Sequence, residues 1–123
     1  MYFIYNTSQA LDKYIRPSYR TGAFKGENNH DALAGIIKSH LAGAIVNRKM
    51  TCYFLKHSKK NNLDVMTFAV RYDSETKKNI IRGFVDVRVV SFNHYLKVKL
   101  LSFLAYWIKD NTPNKDEADA FTA

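Results

Sequence analysis

The sequence predicts an α+β fold: a three-stranded antiparallel meander flanked by two main helices, with an N-terminal strand and short-helix extension. Three observations carry this. Residues 79–92 hold the longest alternation, with Ile81, Gly83, Val85, Val87 and Val89 on one face and Arg82, Phe84, Asp86 and Arg88 on the other. Residues 64–72 form a second strand, joined to the first by the polar turn Asp73-Ser74-Glu75-Thr76-Lys77-Lys78. Apolar residues recur at helical spacing before and after this hairpin.

Taken in order, 2–5 reads as a short edge strand, and Ser8 as the N-cap of a short helix over 9–15. Pro17 bars Arg16 from helical backbone, so 16–26 reads as a basic, aromatic loop with Arg16, Tyr19, Arg20, Phe24 and Lys25. Asn28 or Asn29 caps a helix over 30–48, with Asp31 placed to suit the helix dipole. Gly35, Ser39 and Gly43 form a narrow strip on it, expected to pack closely on the sheet. Residues 51–57 read as a strand and 58–62 as a turn bearing Lys59 and Lys60.

Asn93 is placed to cap a last helix over 94–109. Its expected core face is Leu96, Leu100, Phe103, Leu104, Trp107 and Ile108. Val98, Leu101 and Ala105 widen the apolar arc, so a second cover is expected, either the glycine strip or a second subunit. Short connections favour a meander with both helices on one face of the sheet. One domain over 1–110 is expected, followed by an acidic tail over 111–123 read as disordered.

The net charge of +8 is unevenly placed. Residues 1–109 hold 18 of the 19 Lys and Arg but 7 of the 11 Asp and Glu, a net +11, while 110–123 carry a net −3. A basic body of this kind attracts polyanions. Cys52, the single cysteine, allows no internal disulfide and lies in an apolar run, so an inert thiol in a reducing, cytoplasmic setting is expected. No stretch approaches the ~18 apolar residues of a membrane span, so no membrane partner is expected.

Chemistry-bearing patterns are few. His30, His40, His57 and His94 do not pair at helical spacing and one cysteine cannot build a zinc pattern, so no metal and no cofactor is called for. The segment Leu33-Ala34-Gly35-Ile36-Ile37 resembles the helix that names the LAGLIDADG homing endonucleases, over residues 33–40 only. Lys38 and His40 stand where that family's helix end supplies metal-binding acids. The order helix, three strands, helix is similar to that of PD-(D/E)xK nucleases. That resemblance implies a divalent-metal site from Asp64 or Asp73 on the hairpin with Asp86 and Arg88 on the third strand. Arg88 replaces the expected lysine and cannot act as a base. The same order also resembles double-stranded RNA-binding domains, which implies phosphate contacts from Lys97 and Lys99 early in the last helix.

The favoured expectation is a small non-enzymatic protein that contacts nucleic acid through a basic, aromatic sheet face. Arg71, Arg82, Phe84 and Arg88 would lie on that face. Lys59, Lys60, Lys77 and Lys78 would flank it at turns, Lys97 and Lys99 on the last helix, and Arg16 and Arg20 on the N-terminal loop. A protein-binding inhibitor or adaptor, of the kind phages and mobile elements encode, is the alternative, and a metal-dependent nuclease the next. A homodimer through the last helix is a further expectation.

Overall fold

The sheet has five strands, because the N-terminal segment joins the hairpin instead of trailing from it. In the computed structural model the described residues are 1–44, 49–73 and 80–111, without the side chains of 44 and 102–111. Strands β1 (Tyr2–Thr7), β2 (Thr21–Lys25), β3 (Thr51–Lys60), β4 (Leu63–Asp73) and β5 (Ile80–Val90) pair antiparallel in the order β2-β1-β5-β4-β3. The three-stranded meander therefore undercounts the sheet. β1 is internal, with Tyr2 opposite Lys25 on one side and Val90 on the other. The loop read over 16–26 contains β2, preceded by a 3-10 turn at Pro17–Tyr19.

The alternation of β5 holds where it matters. Ile81, Gly83, Val85 and Val87 are buried, whereas Val89 is 47% exposed near the strand end. From β4, Met66, Phe68, Val70 and Tyr72 join the same core face. Helix α1 (His30–Ala44) covers this face with Leu33, Ile37 and Leu41, all essentially fully buried. Asn29 is its cap, its Oδ1 accepting from the Ala32 N–H at 3.0 Å. Its first residue, His30, stacks on Phe54 of β3 with ring centroids 3.6 Å apart. The strip of Gly35, Ser39 and Gly43 points away from the sheet. All three are exposed and a Cβ at Gly35 would meet nothing within 4 Å, because the branched residues Leu33, Ile37 and Leu41 win the buried side.

Helix α2 (Phe92–Asn111) lies on the opposite face. Tyr95 and Val98 pack on Ile4, Ala23, Tyr2 and Val90, whose side chains alternate away from the core residues Phe3, Tyr5 and Phe24. The two helices thus sandwich the sheet, which corrects the one-faced layer. The cap of α2 is Ser91, its Oγ accepting from the His94 N–H at 3.2 Å, in place of the expected Asn93. Leu96 and Leu100, read as core, are exposed, because Tyr2 and Phe92 ring Tyr95 and draw that side of the helix onto β1. The acidic tail lies outside the described residues beyond Asn111.

The N-terminal extension plugs the end of the core. The predicted helix over 9–15 is a single 3-10 turn, Gln9–Leu11, whose Ser8 makes no side-chain cap. Leu11 and Ile15 are buried, and Leu11 sits directly over Gly83. A Cβ at Gly83 would overlap Leu11 Cγ. Gly83→Ala is therefore expected to lower stability by about 1–3 kcal/mol through overpacking. Urea unfolding of this variant beside the parent chain measures it.

Candidate functional site

Among the described residues, α2 covers the β1–β2 end of its face together with Val90, and the outer surface of β3, β4 and the rest of β5 is left open. Its residues follow from the register. Arg71 lies between Thr51 and Arg82, Ala69 between Tyr53 and Phe84, and Thr67 between Lys56 and Asp86. Small residues on the central strand, Val65, Thr67 and Ala69, are buried between taller neighbours, so β4 forms the floor of a trough. The walls are Tyr53, Leu55 and Phe84, each about half exposed. With Arg71 and Arg82 they line an open depression of about 340 Å³, at the small end of the ~300–1,000 Å³ range of ligand clefts.

Two local devices shape this trough. Leu55 is a β-bulge, since the register jumps between Phe54 and Lys56. Before it, Thr51 and Tyr53 face outward; after it, Lys56, Ser58 and Lys60 do, so the bulge keeps an apolar wall and adds a basic one. Phe84 is fixed by Ser8, whose N–H donates to the Phe84 carbonyl at 2.9 Å and whose Oγ accepts from the Phe84 N–H at 3.0 Å.

Arg71 and Arg82 are direct cross-strand partners. Among the described residues neither has a carboxylate within ion-pair distance. Like charges placed opposite each other destabilise a sheet by a few tenths of a kcal/mol or more, so this pair is a cost that an external anion would relieve. Arg88 shares the face, opposite Ile4. Asp86 is already engaged: Lys60 Nζ sits 2.7 Å from one oxygen and the Thr67 hydroxyl donates to the other at 2.8 Å. Lys60 and Thr67, and neither arginine, thus hold Asp86.

The remaining sequence candidates scatter. Lys59 stands opposite Asp64 in the strand register, on the alternate side of its strand from Lys60, because β3 runs on to a two-residue turn at Asn61-Asn62, both at positive φ. Lys97 and Lys99 belong to α2, and Lys99 Nζ contacts the Tyr95 hydroxyl at 2.9 Å. Arg20 is bound to Asp12, donating to its carbonyl at 2.6 Å with a carboxylate oxygen 3.6 Å from Nε. Arg16 is exposed ahead of the Pro17–Tyr19 turn, and Lys77 and Lys78 lie outside the described residues. The acids of the nuclease reading do not converge. Asp64 alternates to the core side of β4, Asp86 is on the outer side, and Asp73 lies six residues along β4 from the partner of Asp86, about 20 Å away. Among the described residues no three His, Cys, Asp or Glu side chains gather as a metal site.

Tyr53 and Leu55 were not legible as site residues, because the bulge breaks the alternation that would have assigned them a face. Cys52 lies on the core side, half-buried, and desolvation pushes its thiol up to about 11, so the reactive thiolate is scarce at neutral pH. His40 is held below the usual imidazole range by desolvation and then by Lys99. No described helix is long and apolar enough to cross a membrane. What the fold and site define is a small α+β protein with an open aromatic and arginine-bearing sheet face. Comparison with protein-family models, curated proteins and solved structures gives no match for this chain.

Proposed function

We propose that the open face of β3–β5 binds single-stranded nucleic acid without base-specific chemistry. The observation that carries this reading is the juxtaposition of Arg71 and Arg82, opposite each other and without a carboxylate partner among the described residues, beside the half-exposed rings of Tyr53 and Phe84. The arginines suit phosphates, and the rings on either side of Ala69 suit the π-faces of bases. Lys56 and Arg88 extend the positive track along the same face. Duplex fits less well, because a trough between strands admits a flattened, unpaired base more readily than a closed helix.

The test is fluorescence anisotropy of labelled single-stranded oligonucleotides against the full chain over a series of salt concentrations. A log–log affinity slope of roughly −2 to −3 is expected from three or four phosphate contacts at about −0.7 each. A flat salt response, or no binding at low salt, rejects the reading and returns the face to a protein-contact role.

A further inference from the structure

A polar row beside the trough crosses the whole sheet. Lys56, Thr67, Asp86, Asn6 and Thr21 stand opposite one another on β3, β4, β5, β1 and β2. Asp86 is the carboxylate of this row, and it lies on the outer side of β5 between Arg82 and Arg88. A face built for phosphate alone gains nothing from an acid in its line of cations. Asp86 is nonetheless held firmly: Thr67, buried in the floor, donates to Oδ1, and Lys60 holds Oδ2. Its side chain is still 33% exposed, and a carboxylate oxygen that has accepted one hydrogen bond can accept another. Asn6, directly opposite on β1, is exposed, and its Oδ1 accepts from the Thr21 hydroxyl at 2.8 Å. Its Nδ2 is therefore the donor arm, and among the described residues nothing accepts from it, Asp86 included. An acceptor and a donor thus stand side by side on the open face without being bonded to each other.

We propose, resting on the nucleic-acid reading of the trough, that Asp86 and Asn6 read the ribose 2′-hydroxyl, so that the face takes single-stranded RNA in preference to DNA. A 2′-hydroxyl is both donor and acceptor. It donates to the Asp86 carboxylate and accepts from Asn6 Nδ2. A phosphate oxygen only accepts and is repelled by Asp86, and a deoxyribose offers nothing at this position. The spacing agrees. Asp86 lies one pleat, about 7 Å, along β5 from Phe84 on the same side of the strand, so a base stacked on the Phe84 ring brings its sugar to the polar row. The contact is to the sugar, which keeps binding indifferent to the base. Lys60 and Thr67 act as positioning residues, since they hold the carboxylate in place and leave the sugar to Asp86 and Asn6.

Anisotropy titrations of the full chain against RNA, DNA and 2′-O-methyl RNA of one sequence, built from adenine and cytosine alone, test this. The bases are then identical and no duplex forms. RNA is expected to bind about tenfold or more tighter than DNA, the size of one hydrogen bond to a charged group. The 2′-O-methyl strand, whose oxygen has no proton to donate, is expected to bind like DNA. Asp86→Ala is expected to erase the RNA advantage while DNA binding holds or strengthens, since a negative charge leaves the face. Retained DNA binding also shows that this variant is folded. Asn6→Ala is expected to reduce the advantage about threefold, the share of a neutral hydrogen bond. Equal binding of RNA and DNA, a 2′-O-methyl strand that binds like RNA, or a preference that survives Asp86→Ala overturns the proposal and leaves the trough reading standing. An advantage unchanged by Asn6→Ala overturns the part given to Asn6. If none of the three strands binds, the trough reading falls and this proposal with it.

Discussion

Charge reversal at Arg71 and Arg82 together is expected to weaken binding of a single-stranded oligonucleotide at least about a hundredfold and to flatten the salt slope by roughly 1.4, the share of two phosphate contacts. Alanine at Tyr53 or Phe84 acts through a different physical term. Each is expected to remove about 1–3 kcal/mol of base stacking and to leave the salt slope where it was. The two classes of variant are thus separable in one set of anisotropy titrations. A third measurement distinguishes lost contact from lost fold. Because Arg71 and Arg82 face each other across the β4–β5 ladder, Arg71→Glu alone converts a repulsive cross-strand pair into an attractive one. Thermal stability should stay level or rise by about 0.2–1 kcal/mol while binding falls. Lys99→Glu, on α2 and in contact with Tyr95, is the charge-matched control and should alter binding little. If it weakens binding as much as the arginine variants, net charge is responsible and the trough is not the site.

Phe68→Ala is expected to be the most damaging single truncation in the sheet, at about 3–5 kcal/mol. Phe68 is fully buried at the centre of β4, and Phe54 meets its ring edge-on at 5.6 Å between centroids. Its neighbours on β3 and β5 are held in ladder register and cannot close over the void. A loss of this size is a large part of the ~5–15 kcal/mol that holds a small domain together. Phe84→Ala removes the same ring from the same sheet, yet from the exposed side, where a change within about ±0.5 kcal/mol is expected. Paired urea titrations of the two variants decide whether the outer face is open in solution. Equal losses would mean that something covers Phe84.

The alternation of β5 and the apolar run of β4 were readable because a strand's inward set is dictated two residues at a time, by neighbours in sequence. That Asn28 or Asn29 caps α1 was readable for the same local reason, and the structure selects Asn29. Arg71, Arg82 and Phe84 fell on the predicted face because the pleat alone puts them there. β2 was missed: its five residues hold their place only by pairing with β1, and that in turn by β1 lying against β5, where Tyr2 faces Val90 from 88 residues away. The bulge at Leu55 was equally hidden, and with it the outward turn of Tyr53.

By itself, then, the sequence determined the class of fold, the hairpin and the sign of the charge. Tertiary structure decided which side of α2 turns inward, that the helices take opposite faces, and which cations share a surface. Lys59 and Lys60 are adjacent in the chain yet face opposite ways, and Arg20 is drawn off to Asp12. Periodicity assigns a residue to a face of its own element. Only the packing of one element on another decides whether that face meets a core, a helix or water.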